Sequence, residues 1–296
     1  MSAITRPLLR YYGGKWRLAD RLIQIFPVHH IYTEVFGGAA SVLLRKPRSP
    51  AEIYNDLDGE VVNVFRTLQV EARARRLEQL LRVTPFSRDE FEKSYKPTKD
   101  DLERARRTII RSFMGFGSDS ITRVKASGSG FNTRISTMRT GFRSNSWRSN
   151  TPAAVDWARY PDCLQAFCER LRGVVIENRN ALEILAKADR DDALHYVDPP
   201  YPRSTRNNGA TESRVEHNYR HEMTDADHAK LAELLRSLKG MVIISSYPGP
   251  LYDQIFGDWE KLTWSGQQFC HGSQKRTECI WLNPAAAHYS PIGRLW

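Results

Sequence analysis

The sequence predicts an α/β fold: a mostly parallel sheet covered by helices, closed by a C-terminal antiparallel hairpin and interrupted by a largely helical and loop-rich insert. Three observations carry this expectation. Short apolar runs alternate with segments of helical periodicity, as they do when parallel strands are joined by crossover helices. Glycine-rich and acidic residues follow several of those runs, at the carboxyl ends of the expected strands, where such sheets bind ligands. From about 72 to 161 the chain is first charged and helix-like, then rich in Ser, Gly, Asn and Thr.

Element by element, Leu18, Leu22, Ile25 and Phe26 follow Gly13-Gly14-Lys15 at helical spacing, predicting a helix over 16–26 that Pro27 closes. Residues 31–36 read as a strand, running into Gly37-Gly38-Ala39-Ala40 and a short helix through Val42, Leu43 and Leu44. A second strand over 51–54 ends at Asn55-Asp56, and 61–68 resumes helix. Helices are expected over 72–81 and 100–113, and strands over 174–177, 193–197 and 241–245. Thr224-Asp225-Ala226-Asp227 has the form of a capping box with Asp in place of Glu, opening a helix through Leu238. Residues 259–264 and 278–282 can pair as a hairpin around the 266–276 loop. The sequence contains neither an internal repeat nor a low-complexity tract.

With 296 residues, the chain is long enough to bury a core without covalent staples. Cys163, Cys168, Cys270 and Cys279 form no CxxC pair and have no His at zinc-finger spacing. They read as reduced thiols of a cytosolic protein with no metal site. No apolar signal core opens the sequence, and no run approaches the roughly 18 apolar residues that span a bilayer, so a soluble protein is expected. The net charge of +10 points to a polyanionic partner. Between residues 104 and 148 ten basic side chains face one acid, Asp119, and they are interleaved with Phe113, Phe116, Phe131, Phe142 and Trp147. Basic groups grip phosphates while aromatic rings stack or wedge between bases; a solvated loop would share the composition.

Asp198-Pro199-Pro200-Tyr201, directly after the apolar run 193–197, is the most informative motif. Asp198 can accept one N–H of a planar exocyclic amine and the Pro199 carbonyl the other, because prolines stiffen the backbone and offer no competing donor. Tyr201 supplies a stacking face. Taken alone, the tetrapeptide equally fits a strand that stops at a Pro-Pro turn. Gly37-Gly38 would let a ligand approach the backbone, and Asp56, ending the second strand, can bind ribose hydroxyls. The GxGxxG of a dinucleotide dehydrogenase is not found there, since the residues read Phe36-Gly37-Gly38-Ala39-Ala40-Ser41.

In this order the motifs resemble the Dam-type (alpha-group) DNA adenine-N6 methyltransferase family, over nearly the whole chain apart from roughly 72–161. Tyr11-Tyr12-Gly13-Gly14-Lys15 is similar to the family's N-terminal cofactor motif, Thr33-Glu34-Val35-Phe36-Gly37-Gly38 to its Glu-Pro-Phe-x-Gly motif, and Tyr54-Asn55-Asp56-Leu57-Asp58 to its ribose-binding stretch. Asp198-Pro199-Pro200-Tyr201 matches the catalytic motif, and Lys275-Arg276-Thr277-Glu278 with Trp281-Leu282-Asn283 resembles the C-terminal strand. Val35 replaces the usual proline, and Asn180 stands where an aspartate facing the cofactor adenine is expected.

The resemblance implies a Rossmann-like methyltransferase sheet formed by residues 1–71 and 162–296, with 72–161 inserted for target recognition. It implies S-adenosylmethionine as cofactor, held by Tyr11, Lys15, Glu34, Phe36, Gly37, Asp56, Asn180 and Asp198. Asp198, Pro199, Pro200 and Tyr201 would be catalytic, acting on the N6 amine of an adenine flipped out of duplex DNA. Arg111, Arg123, Lys125, Arg134, Arg139, Arg143 and Arg148 become candidate DNA contacts, in a cytoplasmic bacterial or phage setting. A monomer is expected, with a dimer left open, and neither metal nor membrane is implied. Cytosine-N4 methylation and a catalytically silent DNA-binding relative are the alternatives.

Overall fold

A computed structural model of the chain describes residues 4–115, 120–121, 141–143, 152–202, 205, 219–267 and 275–291. The chain divides into two compact units, one of Lys15–Leu57, Gly173–His217 and His221–Trp296, the other of Met1–Gly14, Asp58–Arg172 and Asn218–Arg220.

The first of these holds a seven-stranded sheet: β1 (Ile31–Glu34), β2 (Ala51–Asn55), β3 (Val174–Glu177), β4 (Ala193–Val197), β5 (Met241–Ser246), β6 (Glu260–Gln267) and β7 (Lys275–Leu282). Their order is β3-β2-β1-β4-β5-β7-β6. Pairings from β3 to β5 are parallel, whereas β7 runs antiparallel to both β5 and β6. This is the mostly parallel, Rossmann-like sheet with a C-terminal hairpin that the sequence predicts. The chain leaves β1 toward β2 and β3, then returns to lay β4 on the other side of β1. Strand order therefore reverses between β1 and β4, opening a crevice at their carboxyl ends.

All five residues of β4 and all six of β5 are buried, as befits central parallel strands covered on both faces. One face, carrying Val197, Val242, Ile244 and Trp281, packs in a single apolar cluster with α8 (Ala181–Ala188), α9 (Asp225–Ser237) and α10 (Pro250–Ile255). On the other face, Tyr32 and Tyr196 meet the ring of Phe26 at 5.8 and 5.9 Å, just after α1 (Ala19–Gln24). The Thr224 capping box that opens α9 forms with its Asp at the third position, as read from the sequence. Asn283 caps α11 (Pro284–Tyr289) and exchanges hydrogen bonds with Val242 and Gly240, tying the helix to the start of β5.

The strand expected over 31–36 ends at Glu34, the hairpin strands extend to Gln267 and Lys275 into the expected 266–276 loop, and two expected helices differ. The helix expected over 16–26 is shorter at both ends, and 42–44 forms successive turns instead of a helix. The cause in the second case is local: Gly38 and Ala40 adopt φ values of +47° and +50°, and Leu43 directs its N–H to the Glu34 carboxylate.

The other unit is helical among its described residues. α2 (Gly59–Gln69) packs against α3 (Glu71–Arg82), α5 (Asp101–Met114) and α7 (Leu164–Leu171), while α4 (Arg88–Lys93) lies on α5 and α6 (Ala153–Arg159) also meets α5. Asp58, Ser87 and Asp100 cap α2, α4 and α5.

Asn55 ties the loops at the crevice together. Buried to 1% exposure, it donates to the Val35 and Arg179 carbonyls and accepts the Arg179 N–H at 2.9–3.0 Å. Asn55→Ala strands these buried groups and should cost about 2–3 kcal/mol in urea unfolding. A loss under about 0.5 kcal/mol would show that the loops hold without it.

Candidate active site

Val197 is the last residue of β4, so Asp198 sits at the carboxyl edge of the sheet, beside the end of β1. Register pairs Glu34 with Tyr196, Tyr196 with Ile243, and Ser245 with Ile280. Alternate residues of a strand share a face, so Glu34, Tyr196, Ser245 and Glu278 project from one face, contributed by four strands. Asp198 extends the row of Tyr196.

Lys15 joins this row from the segment before α1. Its Nζ lies 2.7 Å from each oxygen of Asp198 and 3.6 Å from Glu278 Oε1, and 4.8 Å from the centre of the Tyr201 ring. Ser245 donates to Asp198 Oδ1 at 2.8 Å. Since that uses its only proton, Tyr196, 3.2 Å away, donates to the Ser245 oxygen. Tyr201 donates to Glu278 Oε1, and its ring meets Tyr247 edge-on at 4.6 Å. Pro199 and Pro200 fix the chain between the two polar ends of the motif.

Lys15, Tyr201 and Glu278 are 6%, 5% and 1% exposed. Burial alone would lower the pKa of Lys15; the charges of Asp198 and Glu278 outweigh it and raise the pKa instead. The ammonium therefore stays charged. Burial, then the neighbouring Asp198 and Glu278, push the Tyr201 phenol far above its ordinary range, keeping it a neutral donor.

Around the crevice, Glu34 closes the loop that follows β1 by accepting from the Tyr32 hydroxyl and the Leu43 N–H, each at 2.8 Å. Gly37 is needed for packing: a Cβ there would lie 2.2 Å from the Tyr54 ring, whose hydroxyl donates to the Gly38 carbonyl. Asp56, just past β2, accepts the Gly38 N–H at 2.8 Å. Phe36 lies half-buried against the apolar cluster under α8 and α9. Asn180 caps α8, accepting from Leu182 N–H at 2.9 Å, and Asn178 donates to the carbonyls of Asp56 and Leu57.

The structure thus brings Lys15, Asp198 and Tyr201 into direct contact, sets Glu34 on the same face, and gathers Gly37, Asp56 and Asn180 at the carboxyl ends of β1, β2 and β3. Tyr11 belongs to the helical unit, where its carbonyl accepts the Gly14 N–H. Glu278 belongs to the stretch that resembles the family's C-terminal strand, but no role is expected for it from the sequence. Ser245, Tyr196 and Tyr247 read as ordinary strand or loop, and strand register brings the two strand residues among them to the site.

Among the expected DNA contacts, Arg111 is largely buried and its guanidinium binds Glu60 at 3.0 Å and the Ser94 carbonyl. Arg104, Arg106 and Arg107 are likewise paired, with Glu60, Asp101, Glu90 and Glu103. The charge excess seen in sequence over this stretch is offset by acids that precede it in the chain. Arg143 lies 3.9 Å from Asp156. Arg123, Lys125, Arg134, Arg139 and Arg148 lie outside the described residues. Cys163, Cys168 and Cys279 are free thiols, and Cys270 lies outside the described residues. Among those described, no cluster of His, Cys, Asp and Glu could hold a metal ion and no helix is long and apolar enough to cross a membrane.

A Rossmann-like sheet that ends β4 in Asp-Pro-Pro-Tyr, with an ammonium on the aspartate, has the build of an amino-methyltransferase. The family model described as D12 class N6 adenine-specific DNA methyltransferase matches residues 11–248. The chain belongs to this family and is an adenine-specific DNA methyltransferase. A search of the curated proteins finds no match. Members of the family draw their methyl group from S-adenosylmethionine and act on DNA.

Burial raises the Glu34 carboxyl from 4.5 to about 7, against the lowering effect of its two donors. A carboxyl whose folded pKa is raised contributes stability below its unfolded pKa and loses it as pH climbs through the folded value. Glu34→Gln keeps an acceptor for Tyr32 and Leu43 and cannot ionise. Its stability relative to the natural chain should rise as pH goes from 4.5 to about 7. Parallel stability curves, measured by denaturant unfolding at several pH values, would refute this.

Proposed function

We propose that this enzyme transfers the methyl group of S-adenosylmethionine to the N6 amine of an adenine flipped out of duplex DNA, at one short sequence. The observation that carries the reading is the Asp198 carboxylate, held from one side by Lys15 and from another by Ser245 at the crevice where strand order reverses.

The residues fit the cofactor chemically. Lys15 faces two carboxylates, Asp198 and Glu278, and negative charge at this place suits a cationic sulfonium. Gly37, with Glu34 and Phe36 close by, borders the cofactor on the β1 side, Asp56 holds the ribose, and Asn180 lies toward the adenine. Tyr11 is carried over from the family motif. Bound S-adenosylmethionine supplies an electrophilic methyl group.

Asp198 and the Pro199 carbonyl take the two hydrogens of the amine, drawing its lone pair out of conjugation with the ring. Tyr201 stacks on the base. As the nitrogen forms its bond to the methyl carbon, the carbon–sulfur bond breaks, and the proton that the nitrogen sheds passes to Asp198 and on to solvent. No covalent enzyme intermediate is required. Residues 72–161 recognise the target. With Arg111 committed to Glu60, contact with DNA falls to Arg143 and to Arg123, Lys125, Arg134, Arg139 and Arg148, which grip phosphates or read groove edges.

Incubating the protein and S-adenosylmethionine with unmethylated genomic DNA, followed by nucleoside mass spectrometry and modification-sensitive sequencing, tests the reaction. N6-methyladenine at one short motif is expected; N4-methylcytosine or no methylated base would overturn it. Asp198→Ala should lower turnover by at least about a thousandfold while S-adenosylhomocysteine still binds, and an active variant would remove Asp198 from the mechanism. Neutralising Arg134, Arg139 and Arg143 together should flatten the salt dependence of DNA binding by up to about three in log–log slope. An unchanged slope would turn this region away from DNA.

A further inference from the structure

Glu278 has a place in the site beyond the negative charge it lends there. It lies on β7, the strand laid antiparallel on β5, and is 1% exposed. A carboxylate so deeply buried must be compensated by charge and hydrogen bonds or it destabilises the fold. Two site residues supply part of that compensation: its Oε1 accepts from the Tyr201 hydroxyl and lies 3.6 Å from Lys15 Nζ.

Each contact has a consequence for catalysis. The ring of a tyrosine can tilt about its χ angles unless its hydroxyl is held. An O–H bonded to a carboxylate is among the stronger neutral-to-charged hydrogen bonds, so it sets the plane of the ring that stacks on the base. Lys15, meanwhile, faces both Asp198 oxygens at 2.7 Å. A second carboxylate nearby shares the ammonium's charge and weakens its hold on Asp198, leaving Asp198 a better acceptor for an amine hydrogen.

We propose that Glu278 is a positioning residue for methyl transfer, orienting Tyr201 through its hydroxyl and drawing part of the Lys15 charge away from Asp198. This rests on the roles given above to Asp198 and Tyr201. Glu278 then acts on the chemical step and leaves ground-state binding of DNA and of S-adenosylhomocysteine, which carries no sulfonium charge, nearly untouched.

The test uses the full-length enzyme with an oligonucleotide duplex containing the methylated motif. Glu278→Gln keeps the volume and an acceptor for Tyr201 but not the charge; Tyr201→Phe keeps the ring but not the hydroxyl. Each should lower kcat by about tenfold to a hundredfold, the worth of a hydrogen bond to a charged group, with KM for DNA and equilibrium binding of S-adenosylhomocysteine nearly unchanged. In the Glu278→Gln background, Tyr201→Phe should cost far less than it does alone. Glu278→Asp, which restores the charge with a shorter reach, should recover part of the loss and gives the same reading where the glutamine variant does not fold. An unchanged kcat, independent multiplicative losses, or a fall in kcat matched by an equal loss of S-adenosylhomocysteine binding would each overturn the proposal. Failure of the natural enzyme to methylate adenine would instead overturn the underlying reaction, so the two failures are distinguishable.

Discussion

The buried ammonium of Lys15 is the constraint around which the site is arranged. An isolated charge at this depth would cost several kcal/mol, so carboxylates have to meet it, and they come from two strands far apart in sequence. Asp198 follows β4, and Glu278 comes from β7. The antiparallel hairpin is thus more than a cap on the sheet edge. Without β7 lying against β5, one of the two counter-charges would be missing, and the hydroxyl of Tyr201 would lose its acceptor.

The crevice follows from strand order. Because β2 and β3 build outward on one side of β1 and β4 and β5 on the other, the loops after β1 and β4 diverge at their carboxyl ends. Side-chain bonds then stiffen those loops. Glu34 clasps the β1 loop through Leu43, Asp56 through Gly38, and Asn55 ties it to the loop after β3. Glu34 and Asp56, expected from the sequence to contact the cofactor, also hold backbone, as Asn55 does beside them. A position can serve both ends, since a loop that approaches a ligand closely has to be held without bulky side chains.

The sheet was largely legible in the sequence, and the reasons are physical. Strands β3 and β4 occur at the residues expected, and β5 is one residue longer, because buried parallel strands are short apolar runs bounded by turn residues. The Asp198 motif was legible because its residues are contiguous. Contacts made across the fold were not. Ser245 takes its meaning from register, and Glu278, though part of a recognisable stretch, meets Lys15 and Tyr201 only through the pairing of β7 with β5. Gly37 is expected from the sequence to leave room for a ligand, and the structure adds a packing reason, since the Tyr54 ring fills the space its missing Cβ leaves. The helix expected through Val42 is reduced to turns, where Gly38 and Ala40 just before it adopt positive φ values that a helix does not use. Similarly, the arginines of α5 find their partners in Glu60, Glu90, Asp101 and Glu103, all of which precede the basic stretch in the chain.

The acceptor geometry of Asp198 bears on why this carboxylate suits an amine. A carboxylate offers about four lone-pair directions. Oδ1 receives hydrogen bonds from Lys15 and Ser245, and Oδ2 receives one from Lys15. Those bonds leave roughly one direction, on Oδ2, for a further N–H. A primary amine brings two hydrogens, and the second has to find its acceptor elsewhere. The carbonyl of Pro199 is next along the chain, and the following proline offers no N–H of its own to compete for the site. The fixed partners of Asp198 therefore do more than neutralise it. By occupying the other directions they define where an incoming N–H must lie, and so tie the plane of the base to a backbone that two prolines hold rigid.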